Sequence, residues 1–400
     1  MNINKNVTGF GSLCVKDIEA VITTKPHQLP IYATSSFEFE SIDQGIDIFT
    51  GKTEGHVYAR YGNPGIDVVA KKIARLEAFG SDHDAWALMT SSGMSAISTL
   101  IMGLAKSGDK ILTQNDLYGG TSELFNKLFR PLGISPVFVN LNDHAAVENA
   151  IAKDKAIKFV FFETPANPTL SCIEIDFIVE LSKNNGLTSI IDNTFATPYL
   201  QQPLKSGIDY VIHSTTKYIN GHGNSIAGVI IGTDLEGKQK IWAALKLAGT
   251  NSNAWDAWLT NNGMRTLALR MDRHCSNAMQ VAEFLAAHEK ITHVNYPGLT
   301  AHASHEVAKK QMKAFGGMLS FEIQGGMEAG ITFMNKIQFC TLAPTLGDVD
   351  SLIVHPASSS HLNIKKEIRE AAGISDGMVR LSVGIESVED IIYDLEQALG

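Results

Sequence analysis

Apolar and polar positions change rhythm along the chain, and the places where they change predict its organisation. Residues 1–64 are irregular and rich in turn formers, with short strand-like pieces such as Ile31–Ser35. From Ile66 to Phe79 the apolar positions Val69, Ile73 and Leu76 fall at helical spacing. Short apolar runs then predict buried strands at Ala85–Met89, Lys110–Leu112, Pro136–Asn140, Phe159–Phe162, Ser189–Ile191, Tyr210–Ile212 and Val229–Ile231. Helical patterns separate several of them, at Met94–Leu104, Thr121–Leu132 and Phe177–Asn184. Near-continuous Val, Ile and Phe runs alternating with helices predict an α/β fold whose mostly parallel sheet is covered on both faces. Its ligand should sit beyond the carboxyl ends of the strands.

A long helical stretch, Asn262–His288, comes next, followed by strand-like Gly317–Ile323 and Val379–Val383 and a closing helix at Val388–Leu399. A domain boundary is expected near residue 255. The first 64 residues have too little periodicity to build a core of their own, so they are expected to wrap over a neighbouring subunit.

Composition narrows the class. With 400 residues, 44% of them hydrophobic and 19% charged, the chain can bury one large core or two connected ones. The net charge of −9 comes from 33 basic and 42 acidic residues. Its basic residues form no patch: Lys365, Lys366 and Arg369 alternate with Glu367 and Glu370, as on a solvated helix face, so nucleic acid is not expected as a partner. Cys14, Cys172, Cys275 and Cys340 are widely separated, without metal-ligand spacing, and structural roles are expected for them and for His213 and His222. The opening MNINKNVTGFGSLC lacks a signal-peptide core, and no run approaches the roughly 18 apolar residues of a membrane span. A cytoplasmic location, off the membrane, is the expectation.

Three segments carry candidate chemistry. In HSTTK, His213–Lys217, a lysine sits beside hydroxyls suited to phosphate oxygens, and a glycine-rich run follows at Gly221–Gly228. A lysine held where its amine is neutral can form an imine with an aldehyde; an exposed lysine in a polar turn is the plainer reading. In IIDNTFATPY, Asp192 ends an apolar strand, where a carboxylate can keep a pyridine nitrogen protonated, although an Asp capping the next turn is common. In TSSGMS, Gly93 and Met94 open a helix whose free amides could bind phosphate; an ordinary Ser91 or Ser92 cap would use the same residues. No GxGxxG follows the first strand, and neither GxxxxGK[ST] nor GxSxG occurs.

Together these segments, with GHVYARYGNP at 55–64 and VRLSVGIE at 379–386, give an end-to-end resemblance to the trans-sulfuration, or Cys/Met-metabolism, group of pyridoxal-phosphate enzymes. The resemblance implies a fold-type I, aminotransferase-like architecture. Residues 1–64 would be an arm contributing to the neighbouring subunit's site, 65–255 the cofactor domain and 256–400 a smaller C-terminal α/β domain. It implies pyridoxal 5'-phosphate as cofactor and no metal. Lys217 resembles the Schiff-base lysine, Asp192 the partner of the pyridine nitrogen, and Gly93, Met94, Ser214 and Thr216 the phosphate cradle. Tyr58 and Arg60 match the pair that reaches the adjacent subunit's phosphate. Tyr118 resembles the tyrosine stacked on the cofactor ring, Asn167 the asparagine facing its phenolic oxygen, and Arg380 the clamp on the substrate carboxylate. An arginine in an otherwise apolar strand independently calls for an anion. Thr345 replaces a serine common in the family.

The implied partners are a small amino-acid substrate and further copies of the chain, as a tetramer of two catalytic dimers. The implied activity is a carbon–sulfur lyase acting on cystathionine, methionine, homocysteine or cysteine. Replacement of the γ-substituent by a thiol is the alternative, and a catalytically silent scaffold of the same fold is the different-class reading. Within the activity, Lys217 would shuttle the Cα and Cβ protons while Tyr118 assists departure of the sulfur. Gly120 stands in YGGT where methionine γ-lyases usually carry a cysteine, which counts against specialised methionine cleavage. Pro344 stands where several cystathionine-handling members carry a carboxylate, which counts against cystathionine.

Overall fold

The apolar runs do become strands. In the computed structural model, which describes residues 24–400 other than 360, 361, 363, 364 and 372, seven of them form one sheet. These are β1 (Trp86–Thr90), β2 (Lys110–Thr113), β3 (Ser135–Phe138), β4 (Ile157–Glu163), β5 (Thr188–Asp192), β6 (Tyr210–Ser214) and β7 (Gly228–Gly232). Their order is β1-β7-β6-β5-β4-β2-β3, with every neighbouring pair from β3 to β6 parallel. Only β7 runs against its neighbours β1 and β6. The reason is the link: a parallel return needs a crossover, usually a helix, and residues 215–227 contain none. That helix-free link carries Lys217.

Successive side chains on each strand enter opposite cores. Phe161, Ile190, Ile212 and Ile230 pack on the helix Gly93–Leu104, while Phe162, Ile191, Val211 and Ile231 pack with the helices Pro64–Glu77 and Ile175–Asn185. Burying each such side chain is worth about 1.5–3 kcal/mol, which is why these strands lack the polar alternation of a half-exposed sheet.

A second sheet contains β8 (Ile291–Asn295), β9 (Met318–Ile323), β10 (Thr341–Leu342), β11 (Leu352–Val354) and β12 (Met378–Ser382), in the order β10-β11-β12-β9-β8. Leu319, Phe321, Val379 and Leu381 share a core with Met271, Val281 and Leu285 of one helix and Ile391 and Leu395 of the last.

Three expectations need correction. The stretch Asn262–His288 is two helices, Ala254–Met264 and Leu267–Ala287. At the break the main chain tightens, Thr266 N–H donating to the Gly263 carbonyl at 3.2 Å, and the Arg270 guanidinium holds the same carbonyl at 2.9 Å and the Thr266 hydroxyl at 3.1 Å. The Thr121–Leu132 pattern spans the end of a short α-helix, Gly119–Glu123, then a π turn and a 3-10 turn containing Pro131. In the first 64 residues, Ile31–Ser35 forms no strand, but Ile42–Phe49 is helical, with Ser41 accepting from the Gln44 amide at 3.1 Å. Cys14 and the rest of segment 1–23 lie outside the described residues.

Candidate active site

The carboxyl ends of β4, β5 and β6 open onto a cavity of about 250 Å³. Nine of the twelve residues singled out above line it: Gly93, Met94, Tyr118, Asn167, Asp192, Ser214, Thr216, Lys217 and Arg380.

Consider first the helix N-terminus. Ser92 does cap it, accepting from the Ser95 amide at 3.0 Å, so the plainer reading of that serine is correct. Gly93 nonetheless faces the cavity. A Cβ there would come 2.7 Å from the Ser214 Cβ, so only glycine lets this turn approach β6. The first-turn amides have no intrahelical acceptor. Ser214 stands opposite, its own amide anchored on Thr194 Oγ1 at 2.8 Å. The Thr216 hydroxyl is engaged with the Ala227 main chain, at 3.2 Å to the oxygen and 3.1 Å from the amide.

Lys217 and Asp192 meet across this space. Lys217 Nζ donates to Thr345 Oγ1 at 2.8 Å, the contact through which Thr345 joins the site without lining the cavity. Burial, and then the nearby Arg380 charge, lowers the ammonium from 10.5 to about 8. Asp192 accepts from the Thr194 amide at 3.0 Å, and burial raises its carboxyl. A cationic ring N–H would offset that cost.

Arg380, on β12, reaches in from the second sheet. It donates to the Thr345 carbonyl at 3.0 Å and Asn167 Oδ1 at 3.3 Å. It makes no ion pair among the described residues, its buried Nε has no partner, and burial pulls it down to about 10. A desolvated guanidinium with a free donor is suited to a carboxylate.

Tyr58 and Arg60 lie elsewhere. The Arg60 guanidinium sits 5.4 Å from the Tyr58 ring and 5.0 Å from that of Tyr61, and donates to the Lys246 carbonyl. Neither residue lines the cavity of its own chain. Sequence reasoning also missed a wall residue, Glu163. It ends β4 as Asp192 ends β5, pairs with it in register, and accepts the Tyr118 amide. The strand-end rule that pointed to Asp192 applied equally to it.

The donor set therefore fits pyridoxal phosphate: first-turn amides and the Ser214 hydroxyl for a phosphate, an amine of lowered basicity for an aldehyde, and a buried carboxylate for a ring nitrogen, while the Thr216 proton is taken by the Ala227 carbonyl. Arg380 remains for a substrate carboxylate.

Comparison with known proteins agrees. The profile of the Cys/Met metabolism PLP-dependent enzymes matches residues 13–400. An L-methionine gamma-lyase of Fusobacterium nucleatum subsp. polymorphum is 48% identical over 373 residues, 93% of each chain. A cystathionine beta-lyase of Lactococcus lactis subsp. cremoris is 40% identical over 377 residues, 94% of this chain and 95% of that one. The structure of cystathionine gamma synthase from Xanthomonas oryzae pv. oryzae in complex with cystathionine superposes with a TM-score of 0.86, at 38% identity over 93% of this chain and 92% of that one. The chain belongs to the Cys/Met-metabolism family of enzymes, whose cofactor is pyridoxal phosphate.

Proposed function

We propose that the protein is a carbon–sulfur lyase that releases a thiol, ammonia and a 2-keto acid from sulfur amino acids, methionine foremost. The observation that carries this reading is the single cavity in which Lys217, Asp192 and the acid-free guanidinium of Arg380 converge. When bound, pyridoxal phosphate supplies the electron sink that makes a Cα proton removable. Arg380 holds the substrate α-carboxylate with Asn167 beside it, which fixes Cα near Lys217. The Lys217 amine, oriented by Thr345, takes the Cα proton and then moves the Cβ proton. Tyr118 gives a proton to the departing sulfur.

The cavity wall supports methionine. Pro344, Leu346 and Ile226 contribute apolar lining, and Glu163 and Asp192 are the only carboxylates among the described lining residues. A thioether methyl suits these apolar residues; the distal ammonium of cystathionine would find no spare acid, since Asp192 is proposed for the ring nitrogen and Glu163 is engaged with the Tyr118 amide. Six relatives named L-methionine gamma-lyase are 39–48% identical to the chain. Gly120 remains the departure: a Cβ there would come 2.6 Å from the Tyr118 ring, so this pocket is arranged around glycine.

The likeness to a synthase structure keeps γ-replacement as the second reading. Products decide between them. Methionine, cystathionine, and O-acetyl- or O-succinylhomoserine with sulfide or cysteine should be offered separately. Keto acid and ammonia from methionine are expected; a new thioether or homocysteine as dominant product would replace the lyase assignment.

The same proposal divides the chain at about 64 and 255, and places the protein in the cytoplasm. Tyr58 and Arg60 serve the phosphate of an adjacent subunit, so the smallest active unit is a dimer and two dimers make a tetramer.

A further inference from the structure

Glu163 is 6% exposed and stands in register with Asp192 on the neighbouring strand. Burial and the adjacent Asp192 both push its carboxyl well above the usual range. Two carboxylates side by side in a buried wall are unfavourable for folding, and an apolar residue would fill the strand end at lower cost. What this one supplies is a grip. Both of its oxygens accept the Tyr118 main-chain N–H, at 3.1 and 3.0 Å, and Oε1 also accepts the Thr121 hydroxyl at 3.5 Å. Gln114 Oε1 accepts the Glu163 amide at 2.8 Å, while the other end of that side chain donates to Asp116 at 3.1 Å. Asp116 in turn accepts the Thr169 hydroxyl at 2.8 Å.

The turn 114–118 is thereby tied to the strand end at 163 and to the loop that carries Asn167. Tyr118 needs such a tie. It opens the helix Gly119–Glu123 with no side-chain cap, and its ring is half exposed against Gly120, which gives it no Cβ to lean on. The ring's place over the cavity is set by its main chain, and Glu163 holds that main chain.

We infer that Glu163 is a positioning residue, clamping the Tyr118 amide so that the phenol stays placed for proton exchange with the departing sulfur. The inference rests on the role given to Tyr118 under the proposed function. The test assays Glu163→Ala, Glu163→Gln and Tyr118→Phe as holoenzymes with methionine, reading kcat, KM and the visible absorption band of the bound cofactor. Misplacing a reacting group should lower kcat of Glu163→Ala about thirtyfold, with KM and the cofactor band nearly unchanged. Glu163→Gln keeps an oxygen for the Tyr118 N–H and should lie about tenfold above the alanine variant. Wild-type kcat in Glu163→Ala overturns the inference. So does equal impairment of both variants, which would mean that charge matters rather than the grip. If the alanine variant does not fold or retain cofactor, Glu163→Gln decides alone: a kcat loss below about tenfold supports the clamp and a larger one overturns it. Tyr118→Phe separates the two layers. If it keeps kcat, the role of Tyr118 itself fails; if it is impaired while Glu163→Ala is not, only the clamp fails.

Discussion

The cavity wall and the segment 24–63 treat charge and apolar surface in opposite ways. The wall gathers two acids, Glu163 and Asp192, and two bases, Lys217 and Arg380, and burial shifts all four toward their neutral forms. The segment leaves Ile42 78%, Ile46 54% and Phe49 65% exposed, at helical spacing on one short helix. Its Arg60 spends its charge on aromatic rings and a main-chain carbonyl rather than on a carboxylate. The first region looks complete for a ring and a substrate carboxylate. The cradle proposed for phosphate, however, offers first-turn amides and the Ser214 hydroxyl, and the only described lining cations, Lys217 and Arg380, are proposed for other roles. The second region offers a cation and an uncovered apolar face. The contrast fits a site whose phosphate charge is met from another copy of the chain.

The hardest blow to this contrast would come from inside the cavity. Lys217→Ala removes the amine that the wall is built to keep deprotonatable, and should cost at least about 10³-fold in keto-acid release from methionine. Folding should survive, because the change relieves a buried ammonium, and the thermal unfolding midpoint checks this. Retention of most of the wild-type rate would detach the chemistry from this cavity.

A smaller effect is expected from the arm, and it tests the other half. Arg60→Ala should weaken cofactor binding about tenfold, the loss of one charge-assisted contact to phosphate. Titration of the cofactor-free protein with pyridoxal phosphate measures it. The sharper version is complementation. Arg60→Ala chains co-expressed with Lys217→Ala chains should give oligomers in which one site has an intact Lys217 and the other chain's intact Arg60. Activity at limiting cofactor should then exceed that of either variant alone. If the mixture gains nothing, Arg60 acts on its own chain or not at all, and the contrast between the two regions loses its meaning.

How far these regions could be read in advance follows from the range of the interactions involved. The buried strands were legible because burial on both faces fills them mostly with Val, Ile and Phe, as in Phe159–Phe162 of parallel β4 and Val229–Ile231 of antiparallel β7. Asp192 was legible as the polar residue ending such a run, and Glu163 was legible by the same rule but passed over. Lys217 stood out only in company with its hydroxyl neighbours. What escaped was set by contacts distant in sequence. The Lys217–Thr345 hydrogen bond spans 128 positions, and at the break between two helices Arg270 holds a carbonyl seven residues back together with that of Tyr218, 52 away. The direction of β7 depended on a missing crossover helix, which a run of apolar residues does not report. Helix Ile42–Phe49 was hidden for the converse reason: among the described residues its Ile42, Ile46 and Phe49 stripe stays exposed rather than packing into a core.

The gentlest test concerns acidity. In the cofactor-free protein, an ordinary lysine would titrate near 10.5, whereas burial and Arg380 bring Lys217 to about 8. Only the neutral amine attacks an aldehyde, so the rate of pyridoxal phosphate capture should rise with pH and level off above about 8. The sign follows from the shift: the folded chain releases this proton earlier than the unfolded one, so stability from this group increases as pH climbs from about 8 toward 10.5. Arg380→Gln should move the capture midpoint upward, because it removes the second cause of the shift while leaving burial, the first, in place. A midpoint that stays put would assign the lowered basicity to desolvation alone. A midpoint near 10.5 in the unmodified protein would mean that the amine is not buried in the free enzyme, and the wall would then differ from the arm far less than its burial indicates.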